Sequence, residues 1–131
     1  MMRDNGKIRI EIREGIPVLE IYHNGELELT DIVWVNHTLL NDIDPPLNLP
    51  IDLIVDRLGS YSLSEAAYIN MQELVKGSRR IAFVTHTPAQ DVVSDLAANS
   101  YLSEQKVQRF SSIDDALMWL QSSEQESSSN N

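Results

Sequence analysis

Apolar and polar positions along the chain follow a set order: two short apolar runs, then three repeats of an apolar run followed by an amphipathic segment that opens with a helix start signal. Strands alternating with helices in one short chain predict a small α/β domain on a largely parallel sheet. Ile8, Ile10 and Ile12 alternate with Arg9, Glu11 and Arg13, which predicts an edge strand with one apolar and one charged face. Those charges suit edge-to-edge pairing of two copies and its prevention equally, so dimerisation stays open. Gly15-Ile16-Pro17 turns the chain into the run Val18-Leu19-Glu20-Ile21-Tyr22-His23, an antiparallel partner for the first strand. Asn24-Gly25 is a further turn signal. Ile32, Trp34, Val35, Leu39 and Leu40 predict a helix over residues 29–41, and Pro45, Pro46 and Pro50 exclude regular structure from the loop that follows.

Ile51-Asp52-Leu53-Ile54-Val55-Asp56 has the β-branched, unbroken pattern of a strand buried on both faces of a parallel sheet. Ser62 and Glu65 read as a capping box, ahead of a helical stripe of Leu63, Ala66, Ala67, Ile69, Met71 and Leu74 that ends near Gly77. Residues 80–85 form the next buried strand. Thr87-Pro88-Ala89-Gln90 is a second capping box with Pro at the first helical position, and Val92, Val93, Leu96 and Ala97 supply that helix's buried face. Residues 106–110 make a short last strand, and Ser112 with Asp115 caps a final helix carrying Ile113, Ala116, Leu117 and Leu120 on one face. Trp34 and Trp119 fall in amphipathic helices, where aromatic side chains mark packing first. The expected architecture is a single α/β domain over residues 7–121. Its mixed, mostly parallel sheet has an antiparallel N-terminal edge strand, and four helices accompany it. Residues 1–6 are expected to be flexible, and the tail at 122–131, without apolar residues, disordered.

Composition narrows the function. A chain of 131 residues, 42% of them hydrophobic, can bury one ordinary core. The net charge of −10, from 20 acidic against 10 basic residues, speaks against nucleic acid and against anionic membrane surfaces as partners. The absence of cysteine removes disulfides, thiolate catalysis and cysteine-ligated metals. No apolar run reaches the length of a membrane span, and the polar opening lacks the apolar core of a secretory signal, so a cytoplasmic protein is expected. His23, His37 and His86 are isolated, with no paired ligand spacing, so no metal is expected. Gly59 alone makes no phosphate-binding loop, and no cofactor is expected. A response-regulator receiver fits poorly, because no acidic pair follows the first strand and the chain opens with an antiparallel pair.

In an open α/β sheet, ligands sit beyond the carboxyl ends of the parallel strands. Two loops qualify: Asp56-Arg57-Leu58-Gly59-Ser60-Tyr61-Ser62-Leu63-Ser64, and Thr85-His86-Thr87 as a pocket edge. A phosphate on Ser60, Ser62 or Ser64, just ahead of a helix, would be favoured by the helix dipole and would shift the local charge by about two units. That is enough to switch a docking surface to which Asp56, Arg57 and Gly59 also belong. The plainer role of Ser62 is to cap the helix, and the two roles are compatible. Asp56, Ser60 and His86 also share the predicted edge as carboxylate, nucleophile and base. Without a Gly-x-Ser-x-Gly elbow, however, a serine hydrolase is the weakest reading, and the chain is not expected to be an enzyme.

The order strand, strand, helix, strand, helix, strand, helix, strand, helix resembles the STAS fold of anti-sigma-factor antagonists and the broader SpoIIAA-like group, over residues 7–121. The resemblance rests on Gly15-Ile16-Pro17-Val18-Leu19-Glu20-Ile21, on Ile51-Asp52-Leu53-Ile54-Val55-Asp56, and on Val107-Gln108-Arg109-Phe110 running into Ile113-Asp114-Asp115-Ala116-Leu117-Met118-Trp119-Leu120. It implies a non-catalytic regulatory module that binds a protein partner such as an anti-sigma factor or kinase-like regulator. It also implies a loop serine phosphorylated within an Asp-Ser-Ser-Gly-like motif before the second helix. Gly59-Ser60-Tyr61-Ser62-Leu63-Ser64-Glu65 keeps serines there, with Ser62 the nearest positional match, but lacks the preceding acidic residue and the following glycine. The wider group's likeness to lipid-transfer folds implies an alternative, a small-ligand or lipid-head-group site between the sheet and its helices.

Overall fold

The computed structural model describes residues 2–44, 46–47, 50–89 and 106–129. Strands β1 (Met2–Asp4), β2 (Ile8–Arg13) and β3 (Ile16–Ile21) lead through the short β4 (Gly25–Leu27) into helix α1 (Leu29–Asn41). Then come β5 (Ile51–Arg57), the short β6 (Tyr61–Leu63), α2 (Glu65–Lys76), β7 (Ser78–Val84), β8 (Lys106–Phe110) and α3 (Ile113–Ser129). Six strands form one sheet in the order β1-β2-β3-β5-β7-β8. The first two pairings are antiparallel and the remaining three parallel, as the mixed sheet expected from sequence requires.

The central strands are apolar on both sides because both sides are covered. Leu19, Ile21, Leu53, Val55, Ile81 and Phe83 face a core completed by Ile32, Val35 and Leu39 of α1 and by Ala67 and Met71 of α2. Their alternates Val18, Ile54, Ala82 and Val84 face Ala116, Leu117 and Leu120 of α3. Trp34 packs half-buried against the first core, and Trp119 against the second, its ring centroid 5.5 Å from that of Phe110.

Two expectations change. The strand at residues 8–13 is not the edge: β1 pairs outside it, with Arg3 opposite Ile10. The turn is built by Asn5-Gly6, where Asn5 Oδ1 accepts from the amides of Lys7 and Ile8 and Gly6 takes φ 92°. The cap of α2 is Ser64, whose Oγ accepts from Ala67 N at 3.1 Å, because Ser62 is already part of β6. The helix capped by Ser112 runs to Ser129; once nucleated, Gln, Glu and Ser extend a helix at little cost. Three of the four expected helices are described. Pro88 and Ala89 are helical, while the rest of the remaining one, with Val92, Val93, Leu96 and Ala97, lies outside the described residues.

A second, two-stranded sheet joins β4 and β6 in parallel, with Glu26 opposite Ser62. It forms where the chain leaving β3 and the chain leaving β5 run side by side, and Gly59 makes that approach possible. Its amide donates to Ile21 O at 2.8 Å, and a Cβ there would fall on the backbone of Tyr22 and His23. At the opposite end of β5, the Asp52 carboxylate, 9% exposed, accepts from Arg79 at 3.1 and 2.7 Å and from Arg80 at 3.3 and 3.0 Å. Burial works to raise the Asp52 carboxyl, but the hydrogen bonds and charges of Arg79 and Arg80 outweigh it and hold the group below its ordinary value.

Gly59→Ala is expected to lower stability by about 1–3 kcal/mol, the range for forcing atoms into a packed site, as read from urea midpoints. A carboxyl lowered on folding stabilises the native state above its unfolded value of about 4 and loses that contribution as pH falls through the folded value. Unfolding free energies measured from pH 7 downward should therefore decline below about pH 4, and Asp52→Asn should make that decline shallower. The same variant should cost about 3–5 kcal/mol at neutral pH, since Arg80 is buried with its carboxylate removed. Identical acid slopes in the two proteins would exclude Asp52 as a contributor.

Candidate functional site

The carboxyl ends of β3, β5, β7 and β8 all open onto one edge of the sheet, because these four strands run parallel. Asp56 closes the central strand β5, and its register partner on β7 is Val84, two residues before His86. The loop after β7 is held to β8 by Thr85 N donating to Phe110 O at 3.0 Å. These constraints bring His86 over the end of β5, where its Nε2 lies 2.7 Å from Asp56 Oδ1. The Asp56 side chain is 5% exposed and that of His86 41%, so a buried carboxylate orients a half-exposed imidazole. A pair of this length and geometry can fix a histidine tautomer and hold or pass a proton.

Beside the pair lies a cleft of about 450 Å³ lined by Thr85, His86 and Thr87 with Arg109, Phe110 and Ser111. Arg109 and Ser111 were not singled out in the sequence; the signal was their place at the end of the last strand, where a parallel neighbour of β7 must also terminate at this edge. Of the three groups expected to meet in a hydrolase, two do so. Ser60 is held elsewhere, its amide donating to Asn24 Oδ1 at 2.8 Å and its carbonyl accepting from Gly25 N at 3.0 Å, and no hydrogen bond joins it to His86 among the described residues. No group of three His, Asp or Glu side chains has the spacing of a metal site among the described residues.

The loop at residues 56–64 is a braced surface. Arg57 is buried with its guanidinium carbon 4.8 Å from the centre of the Tyr61 ring. Burial pushes the Tyr61 phenol up, with the Arg57 charge pulling the other way. Gly59 is bonded to β3, Ser60 to the Asn24 turn, residues 61–63 to β4, and Ser64 N donates to Leu27 O at 3.0 Å. The three serines therefore differ. Ser60 and Ser62 are exposed, whereas the Ser64 hydroxyl is occupied in capping α2. Asn24, a turn residue by its sequence, is the side chain that anchors Ser60.

No family model and no curated protein matches the sequence. Among solved structures, the chain is similar to an uncharacterised protein of the DUF3478 family with a SpoIIAA-like fold, from Shewanella loihica PV-4. That match has a TM-score of 0.66 and 19% identity and covers 92% of this chain and 98% of that one. It is also similar to the anti-sigma factor antagonist SpoIIAA in its unphosphorylated form, with a TM-score of 0.53, 14% identity, and coverage of 87% and 97%. At these identities the likeness concerns architecture, and it agrees with the sheet order and helix placement described above: the chain has a SpoIIAA-like, STAS-type α/β fold.

Proposed function

We propose that the protein is a non-catalytic regulatory module that docks a protein partner through residues 56–64 and the start of α2, with affinity set by phosphorylation of Ser62. The observation that carries this reading is the bracing of that loop. A surface tied down at Gly59, Ser60 and Ser64 can present one geometry to a partner while leaving the Ser62 side chain exposed. A phosphate on Ser62 would stand beside Glu26, its register partner on β4, and would concentrate negative charge at the docking face. The likeness to a protein described as an anti-sigma factor antagonist in an unphosphorylated form supports the same direction. The partner would then be a kinase-like or sigma-regulating protein, and the setting the cytoplasm. No helix among the described residues is long and apolar enough to cross a membrane.

A second reading, a small polar ligand held at Thr85, His86 and Thr87, is favoured by the cleft beside the Asp56–His86 pair.

In affinity capture from native lysate, Ser62→Glu is expected to lose the partner that wild type and Ser62→Ala both retain, by about tenfold or more in recovered protein. Equal recovery on all three baits would end the phosphoswitch reading. His86→Ala is expected to cost about 1–3 kcal/mol, because the buried Asp56 carboxylate loses the imidazole. Unchanged urea midpoints would mean that the pair does not hold the β7 loop in place.

A further inference from the structure

α1 and α2 lie side by side on one face of the sheet and are linked by Asn36 Nδ2 donating to Asn70 Oδ1 at 2.8 Å. Their inner faces fill the core. Their outer faces keep large apolar side chains in solvent: Leu29 at 40% exposure, Val33 at 48% and Leu40 at 65% on α1, and Ile69 at 55% on α2. The α1 spacing of four and then seven residues puts these side chains on one stripe. That stripe carries no full charge, since the only acidic or basic residue of α1 other than His37 is Asp31, which is buried. Toward the C-terminal ends of both helices the stripe opens into a depression of about 610 Å³. Leu39, Leu40, Leu47 and Leu74 line it, together with Asn36 and Glu73.

Exposed carboxylates surround this apolar seam. Glu28 precedes α1, Asp42 and Asp44 follow it, and Glu65 and Glu73 stand on α2. Lys76 is the one Lys or Arg on the two helices, and its Nζ is 3.6 Å from Glu73. A second copy of this chain, itself at −10, would bring the same carboxylates against this rim, and an anionic membrane would be repelled by it. An uncharged apolar seam with an anionic border matches a partner of the opposite pattern. We propose that the groove between α1 and α2 receives an amphipathic helix whose apolar face is flanked by Lys and Arg, with its largest apolar side chain seated in the depression. This surface uses none of residues 56–64 and meets the proposed phosphoswitch face only at the start of α2.

The test is calorimetric titration of the full chain with a synthetic leucine–lysine helix that repeats Leu at i, i+3, i+4 and i+7. The controls are a scrambled peptide of the same composition and a leucine–glutamate helix. The ordered lysine helix should bind, and both controls should fail. Affinity should fall several-fold as ionic strength rises beyond about 0.15 M, where charges are screened over about 8 Å. Val33→Asp and Leu40→Asp, both at exposed positions, should each weaken binding about tenfold with an unchanged circular dichroism spectrum. Scrambled peptide binding as tightly as ordered peptide, or full affinity in both aspartate variants, would overturn the proposal. So would a concentration-dependent dimer that Val33→Asp dissociates and that excludes the peptide, since the groove would then belong to a second copy.

Discussion

Everything in this fold hangs on the two-sided burial of β3, β5 and β7. Leu53 and Val55 point to one helical layer while Ile54 points to the other, and the same alternation is repeated by Ile81, Phe83 and Ala82. A strand buried on both faces satisfies its backbone only by pairing on both edges, which places β5 between β3 and β7 and lets the sheet grow outward from there. Parallel neighbours cannot be joined by tight turns, so α1 and α2 must carry the chain back across one face. Among the described residues the other face is covered by α3, where small Ala82 and Ala116 sit at the contact with the sheet.

That arrangement also dictates where chemistry can sit. Four strands end at the same edge, and each connection leaves that edge carrying polar residues: Asn24 after β3, Asp56 to Ser64 after β5, His86 after β7 and Ser111 after β8. Between the first two connections the chain forms its own small sheet, made possible by the missing side chain at Gly59. Between β5 and β7 the link is a side-chain pair, Asp56 with His86. A loop that would otherwise fluctuate is thereby held as a surface.

Charge is distributed with similar economy. Acidic residues that enter the interior are matched. Asp31 accepts from Lys7, Asn5 and the amide of Glu28, tying the first turn of the sheet to the start of α1, and Glu20 accepts from Arg9. Asp52 is held by two arginines, one of which lies 5.9 Å from the Trp119 ring centre. The surplus carboxylates lie on the surface, which makes the uncharged stripe of α1 conspicuous. The molecule thus has a braced polar edge and a separate apolar seam with an acidic border.

Much of this was legible in the sequence. Residues 51–56 and 80–85 announce themselves because burial on two faces requires an unbroken apolar run, and Ser112 with Asp115 marks a helix start through a local bond that the structure contains. β1 was missed although Asn5-Gly6 signalled its turn, because Met2-Arg3-Asp4 has no alternation of its own. β4 and β6 could not have been found locally, since three residues each become strands only by pairing with one another. That pairing also moves the α2 cap from Ser62 to Ser64, because a residue in the ladder cannot start the helix. Sequence by itself determined the fold class, the covered faces and the edge at which polar residues gather. Only the tertiary structure decided that Asp56 meets His86, 30 residues away, while Ser60 is drawn to Asn24. Those distances follow from the parallel register of β5 with β7 and from the close approach at Gly59, which are properties of paired chains that no local pattern encodes.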